Sequence, residues 1–286
     1  MLANIKRTAK VAVTGVIAGA AIAASGAASA ANYQLTEEQK KAIVALLTAP
    51  KAAPGIGIGV PTGFGAQGGQ VFASIGGTTT EKTATQKDGL DGAATVGMGF
   101  GDSNEFVALE VQANIISLTN NAPDSDFGEE GSVTVKLSRN IGRTSAISVG
   151  AEDIAHWGDS LDGTKASGYV AFTTFKALSD NLQNPLTFSF TIGAGTQRFQ
   201  EVKNNVRDND AGLFGSVALA VHRQVSLIAE HNGNYANAGV SIVPLRSHPL
   251  VLTLSAVNVN EVSAANGGNA TGDTEFGGSL GYSWQF

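Results

Sequence analysis

One short stretch of this chain combines a carboxylate, an imidazole and an amide, in the order Glu230-His231-Asn232. A histidine held by a polar neighbour can take the proton of a serine nucleophile, as in acyl-transfer enzymes. No serine follows closely after His231, however, and His231 shares a strand face with the apolar residues Leu227 and Ala229. We therefore interpret His231 as a rim residue of a strand, and we predict no catalytic residue and no enzyme activity.

Acidic residues cluster in three polar stretches that invite comparison with calcium sites. They are Asp124, Asp126, Glu129 and Glu130; Asp159 and Asp162; and Asp208 and Asp210. Calcium takes several oxygen ligands from a loop of defined spacing, and none of these stretches has that spacing. The chain has no cysteine, which excludes thiolate metal sites and disulfide frameworks. We predict no metal site and no cofactor, and we interpret these stretches as solvated loops.

A further group of polar residues alternates with apolar ones along predicted strands, so its members lie on one face. The group consists of Glu110, Gln112, Asn114, Lys136, Glu152, Glu230 and Glu275. If this face surrounds a wet lumen, four carboxylates and one lysine make the lumen negative and favour cations. The alternative is that these groups pair with one another and seal the interior.

The elements that would position these side chains are twelve strand candidates with period-two alternation, beginning at Gln70. They span residues 70–76, 91–101, 105–118, 130–140, 144–155, 166–177, 185–196, 211–221, 225–232, 236–245, 250–258 and 274–286. Most approach the ~9–11 residues that a tilted strand needs to cross a bilayer. Short connections alternate with long polar ones, except for a short connection at 233–235, and this asymmetry is typical of transmembrane barrels. The sequence predicts an all-β fold, an antiparallel transmembrane β-barrel over residues 70–286.

The first thirty residues have the features of a secretory signal peptide. Lys6, Arg7 and Lys10 precede an apolar stretch, and the small residues 28–30 offer a cleavage site. Cleavage after Ala30 removes three positive charges and no acids, which changes the formal net charge from −6 to −9. An acidic chain without a basic patch has no electrostatic footprint for nucleic acid. We expect export to the bacterial outer membrane.

Residues 31–69 form a separate N-terminal region in this interpretation. Thr36 and Gln39 fit a capping box at the start of a helix that runs to about Leu47, and Pro50 and Pro54 end it. A glycine-rich segment then leads into the strands. The helix could be an ordered leader, contact a periplasmic partner or plug a lumen. We favour the leader or partner role, because one short apolar stripe does not specify a plug.

The last strand carries a resemblance to a known class of proteins. Leu280, Tyr282, Trp284 and Phe286 alternate with small or polar residues, and the chain ends on an aromatic. This pattern resembles the terminal strand of porin-type bacterial outer-membrane proteins. The resemblance implies that these four residues form a membrane-insertion and assembly signal. It also implies that the barrel-assembly machinery is a partner and that outer-membrane lipid surrounds the barrel.

The predicted strand number bears on function. A barrel of twelve strands lies between small filled barrels and the wide 16-stranded porins. We hypothesise a passive, porin-like channel for small hydrophilic solutes or ions. The alternative is a non-conducting barrel whose long loops bind a surface partner or stabilise the envelope. A hydrolase embedded in the barrel is a third hypothesis, which the missing serine disfavours.

Overall fold

The computed structural model describes residues 36–37, 39–41, 44, 49–80, 89–116, 118, 128–158, 165–179, 181, 186–269 and 272–286. The predicted signal peptide and the apolar stripe of the predicted helix lie outside these residues. The chain divides into two compact units, Met1–Ala49 and Pro50–Phe286. Within the described ranges, no helix has the length and the apolar character needed to span a bilayer.

The first unit contains the predicted capping box. The Thr36 hydroxyl accepts a hydrogen bond from the Gln39 amide at 3.2 Å, and the Gln39 side chain accepts one from the Thr36 amide at 2.9 Å. Residues 37, 39–41 and 44 are helical. The first turn of a helix leaves amides without intrahelical partners, and these reciprocal bonds satisfy two of them. The capping interaction therefore forms where the sequence predicts it.

The second unit is a closed antiparallel β-barrel. The strands of the described residues are β1 Gln70–Thr80, β2 Gly89–Gly101, β3 Ala108–Ile115, β4 Gly131–Ile141, β5 Ser145–Trp157, β6 Ser167–Ala177, β7 Thr187–Gly195, β8 Val202–Lys203, β9 Val206–Arg207, β10 Gly212–His222, β11 Val225–His231, β12 Ala236–Ile242, β13 Leu250–Val257 and β14 Glu275–Gln285. All except β8 and β9 belong to the barrel, and β14 closes it by pairing with β1. The predicted closed antiparallel barrel of twelve strands is confirmed; the β8–β9 hairpin was not predicted.

The two faces of the barrel wall differ sharply in chemistry. On β4, Ser132 and Ser138 are buried, whereas Leu137 between them in the alternation is 44% exposed. On β7, Thr191 is 1% exposed and the next residue, Ile192, is 47% exposed. Because successive side chains of a strand point to opposite faces, the polar set faces inward and the apolar set outward. This arrangement is the reverse of the one in a soluble protein, where apolar side chains are buried.

The two ends of the barrel differ in the length of their connections. Connections 102–107, 142–144, 178–186, 223–224 and 243–249 lie at one end, which we call the short-turn end. Connections 81–88, 116–130, 158–166, 196–211, 232–235 and 258–274 lie at the other, the long-loop end. In the first short turn, hydrogen bonds from the backbone and side chain of Asn104 lower the pKa of the Asp102 carboxyl. The predicted asymmetry is present, including the short exception before β12.

Residues 50–69 lie inside the barrel, and we call them the inner segment. The segment begins at the short-turn end, where the Lys51 amide donates to the Arg246 carbonyl at 3.0 Å. It returns to the same end, where the Gly68 amide donates to the Gly101 carbonyl at 2.7 Å. The sequence predicts only a lead-in to the strands for this stretch, and the candidate plug is the preceding helix. The structure instead places the glycine-rich stretch itself in the lumen.

Candidate functional site in the barrel lumen

The inner segment has a composition that prevents regular secondary structure. Seven of its twenty residues are glycine and three are proline. Glycine costs conformational entropy when it is ordered, and proline lacks an amide donor, so neither supports a helix or a strand here. Buried backbone groups must nevertheless be hydrogen-bonded. The partners come from hydroxyls, carboxylates and amines on the inner face of the wall.

The first limb of the inner segment, residues 50–57, runs along β10, β11 and β12. The Gly55 amide donates to Ser241 Oγ at 2.8 Å, and the Gly55 carbonyl accepts from the Ser226 hydroxyl at 2.5 Å. The Ser216 hydroxyl donates to the Ile56 carbonyl at 2.9 Å. All three serines are buried. Small hydroxyl side chains of the wall thus serve as the partners of an irregular backbone.

The apex of the inner segment, residues 58–60, wraps around the carboxylate of Glu230. The amides of Ile58, Gly59 and Val60 donate to this carboxylate at 2.7, 3.0 and 3.2 Å. The Asn237 side chain donates a further bond at 3.1 Å. Glu230 is only 4% exposed. A carboxylate buried this deeply needs such donors, because burial without them is costly.

Arg198 also binds the apex of the inner segment. It lies in a 3₁₀ turn after β7 and forms an ion pair with Glu152, with a second contact of 2.9 Å from its terminal nitrogen. The same guanidinium donates to the Gly59 carbonyl at 3.0 Å and stacks over the Phe199 ring at 4.1 Å. Arg198 therefore neutralises one inward carboxylate and fixes the inner segment with the same group.

A small apolar cluster supports the apex near the long-loop end. Its members are Val60, Tyr169, Ala171, Phe199 and Phe214, all buried. The rings of Phe199 and Phe214 lie 4.4 Å apart, and Tyr169 meets Phe199 edge-on at 6.0 Å. Aromatic pairs in this geometry add to the free energy of apolar burial. Val60 thus anchors the inner segment by packing, beside the hydrogen bonds of its neighbours.

The second limb, residues 61–69, descends along β6, β5, β4 and β3. The Gly63 amide donates to Thr173 Oγ1 at 2.8 Å. A Cβ atom at Gly63 would lie 2.2 Å from the Ala146 carbonyl oxygen, so only glycine lets the limb approach the wall this closely. The Ser148 hydroxyl donates to the Thr62 carbonyl at 2.9 Å. Close backbone approach therefore explains the glycine at position 63.

Glu110 and Lys136 bind the lower part of this limb as a pair. Their charged atoms lie 3.2 Å apart, and both side chains are nearly buried. Glu110 also accepts from the Ala66 amide at 2.7 Å, and Lys136 donates to the Phe64 carbonyl at 3.2 Å. The two charges that the sequence places on one face are thus neighbours across β3 and β4. They compensate each other while holding the inner segment.

The predicted lumen-facing residues that remain are Gln112, Asn114 and Glu275. Asn114 bridges strands, accepting from Thr95 and donating to Thr134 at 2.9 and 3.3 Å. Gln112 borders a cavity beside β1. Glu275 lies near the long-loop end of β14, opposite Val257. Strand register places all three side chains on the face shared with the inner hydroxyls.

Two lumen groups were missed by sequence reasoning. Arg198 lies in a connection rather than a strand, so alternation gives no signal for it. Asp91 is the first residue of the predicted second strand. Thr95, Gly97 and Gly99 share its face, but they are too small to show a clear alternation of polar and apolar side chains. The outward set of β2 at Val96, Met98 and Phe100 does alternate with them. That signal could have assigned Asp91 to the inner face.

Open space remains beside the inner segment. We call one space the upper cavity; it has a volume of about 290 Å³ and lies among β1, β2, β13, β14 and Ile58 near the long-loop end. The lower cavity, of about 310 Å³, is bordered by the second limb, Phe72, Glu110 and Gln112. The upper cavity is bordered by small residues, by the hydroxyls of four serines and threonines, by Asp91 and by the aliphatic side chains of Ile58, Ile116 and Val257. This sector of the lumen is therefore mixed in polarity and incompletely filled.

His231 lies apart from the lumen. It ends β11 on the outward face, is exposed, and accepts a hydrogen bond from the Gly233 amide at 3.1 Å. In the described part of the chain, no serine or threonine hydroxyl is hydrogen-bonded to it. The same residues contain no group of three or more potential metal-binding side chains. The geometry offers no assembled nucleophile and base at this position.

Comparison with known proteins gives no family assignment. No protein-family model matches the chain, and no curated protein shows significant sequence similarity to it. The barrel and its inner segment must therefore be interpreted from their own chemistry.

Proposed function

We propose that this chain is a bacterial outer-membrane barrel that acts as a narrow passive channel for small hydrophilic solutes or ions. The observation that carries the proposal is the apolar outer surface of a closed barrel with a polar interior. Val96, Val149 and Leu254, for example, are about half exposed on three different strands. Such a surface would associate in water but suits the hydrocarbon of a bilayer.

The height of the apolar band supports the same setting. Phe276 and Phe286 lie at opposite ends of β14 and are 65% and 88% exposed. Ten residues of strand extend about 33 Å, which at a tilt of ~40° spans about 25 Å along the barrel axis. Outer-membrane barrels carry an apolar band of about this height, flanked by aromatic residues. Trp284 and Tyr282 add to the aromatic group at the short-turn end.

The route we propose runs between the inner segment and the wall of β1, β2, β13 and β14. The upper cavity borders all four of these strands and Ile58, and the lower cavity borders β1, β3 and the second limb of the inner segment. Ala93 and Ser279 face the upper cavity and are exposed. The inner segment occupies much of the rest of the cross-section, so the bore is narrower than twelve strands alone would suggest. A further space of about 580 Å³ lies between the inner segment and the wall of β6, β7, β10 and β11.

A non-conducting barrel is the second candidate, and a specific observation favours it. Hydrogen bonds tie both limbs of the inner segment to the wall, from Gly55 at β12 to Ala66 at β3. A segment held at so many points resembles a permanent filling. In that case the long loops at the outer end would carry the function, by binding a surface partner or stabilising the envelope.

The two candidates differ in the conductance of the mature protein, beginning at Ala31, after refolding into a planar bilayer. A channel gives discrete current steps, smaller than those of wide porins, and Ala93→Trp reduces them because the indole enters the upper cavity. Val96→Trp on the outward face of the same strand is the matched control and leaves the steps unchanged. A folded, heat-modifiable barrel that gives no steps would rule out the channel.

A further inference from the structure

The inward carboxylates differ in whether a partner compensates their charge. Glu110 is paired with Lys136, Glu152 with Arg198, and Glu230 with backbone amides. Glu275 also takes part in an interaction. Asp91 is the exception: within the described residues, its carboxylate forms no hydrogen bond and no ion pair, and it is exposed. None of the described residues therefore compensates its negative charge.

The register of β2 places Asp91 inside the barrel. Gly99 faces the backbone of Ala66 in the inner segment, because a Cβ atom there would lie 2.5 Å from it. Gly97 faces the Phe72 ring in the same way. Asp91 has the same parity along the strand as these two glycines, so its side chain lies on the same, inward face. Its pairing partner on β1 is Thr78, which also borders the upper cavity.

The upper cavity surrounds this carboxylate with neutral oxygen atoms. Four hydroxyl residues border the cavity together with Asp91: Thr78, Thr253, Ser255 and Ser279. Three aliphatic side chains, Ile58 of the inner segment with Ile116 and Val257 of the wall, complete the border. A volume of about 290 Å³ holds on the order of ten waters at ~30 Å³ each. The cavity therefore accommodates a small ion with part of its hydration shell.

We infer that the upper cavity is a subsite for a hydrated monovalent cation, with Asp91 supplying the charge and the hydroxyls supplying neutral ligands. The inference rests on the proposed channel. Hard cations prefer oxygen ligands, and carboxylates in a narrow passage select cations over anions. One carboxylate with neutral hydroxyls suits weak, exchangeable binding of a single charge, which a conducting site requires. Ion selectivity thus depends on Asp91 rather than on the four glutamates that alternation singles out.

Because the chain has no cysteine, the charge at this position can be changed chemically in one folded protein. Asp91→Cys is refolded into a planar bilayer, and the reversal potential is measured in a potassium chloride gradient. Modification with 2-sulfonatoethyl methanethiosulfonate restores a negative charge, and 2-(trimethylammonium)ethyl methanethiosulfonate introduces a positive one. We expect the cation-to-anion permeability ratio to fall roughly threefold or more on substitution. It should recover with the first reagent and fall further with the second.

Asp208→Cys is the matched control, because Asp208 is an exposed acid at the long-loop end outside the lumen. Its modification should leave the permeability ratio unchanged. The subsite is overturned, while the channel stands, in either of two outcomes. The reagents shift the reversal potential equally at positions 91 and 208, or they shift it at neither position. Absence of current from the wild-type protein overturns the channel, and the subsite with it. Asp91→Glu keeps the charge, so its ratio should stay close to that of the wild type.

Discussion

At the scale of single residues, the lumen shows how a buried charge is made tolerable. Glu230 is nearly inaccessible, yet it accepts hydrogen bonds from three consecutive amides and one side-chain amide. Hydrogen bonds to a charged acceptor are stronger than neutral ones. The exposed pair of Lys203 and Glu201, at 2.9 Å, is in contrast screened by water and contributes little to stability.

The role of Glu230 can be tested with Glu230→Gln. Glutamine has the same shape as glutamate but carries no charge. Its side-chain NH₂ group, a hydrogen-bond donor, would face the backbone amides of the inner segment, which are donors too. We expect it to lower the free energy of unfolding by about 1.5–3 kcal/mol, the range for hydrogen bonds to a charged group. Urea unfolding of the refolded protein measures this, with Glu201→Gln as a control that changes it by less than about 0.5 kcal/mol. Equal midpoints for both variants would contradict the role assigned to Glu230.

At the scale of elements, the glycines of the inner segment differ in how closely the barrel wall approaches them. Gly63 lies so close to β5 and β6 that a Cβ atom would collide with the Ala146 carbonyl and the Thr173 amide. At Gly59 the nearest atom to a built Cβ is a Glu230 oxygen at 3.7 Å, which is ordinary contact. The two glycines belong to the same segment but differ in whether the wall requires them.

This difference predicts opposite outcomes for two alanine substitutions. Gly63→Ala should displace the second limb and lower stability by about 1–3 kcal/mol, as overpacking of a close contact does. Gly59→Ala should change stability by less than about 0.5 kcal/mol. The stability of each variant is measured by heating samples before gel electrophoresis. The temperature at which the band of the folded barrel is replaced by that of the unfolded chain is compared between the two variants. Similar shifts for the two variants would show that the close approach at Gly63 does not constrain the inner segment.

At the scale of the whole molecule, the barrel and its inner segment form one compact unit in which the lumen is unevenly filled. The inner segment covers the wall from β3 to β6 and from β10 to β12. No hydrogen bond of the described residues ties the inner segment to the wall of β1, β2, β13 and β14 toward the long-loop end, which borders the upper cavity. The pairing of the first strand with the last closes the barrel there, so the proposed passage runs beside this closing pair.

Membrane assembly of the whole molecule should depend on the end of β14. Phe286 is the most exposed of the large apolar side chains of the described residues, and it ends the strand that closes the barrel. If the terminal strand is the assembly signal, Phe286→Ala lowers the amount of protein in the outer-membrane fraction severalfold. Phe276→Ala, which removes another exposed phenylalanine from the same strand, is the control. Immunoblots of fractionated membranes measure both, and equal losses would count against a terminal signal.

The sequence by itself determined the barrel, because its determinants are local. Period-two alternation such as that of Leu186, Phe188 and Phe190 with the intervening polar residues specifies which side chains face outward and which face the interior. Strand lengths and the alternation of short and long connections then specify antiparallel neighbours. The inward side of Glu110, Lys136 and Glu152 was therefore readable from spacing alone, as was the capping box at Thr36.

Only the tertiary structure decided what fills the lumen and which charges remain uncompensated. Residues 50–69 have no periodicity, so nothing local indicates where their backbone finds partners. Those partners are distant in the chain: Ala66 meets Glu110 44 positions away, and Ile58 meets Glu230 172 positions away. Compensation of a charge depends on such contacts, which form only when the barrel closes. For that reason Glu230 is an anchor of the inner segment, while Asp91, whose face the sequence hardly marks, has no charge partner among the described residues.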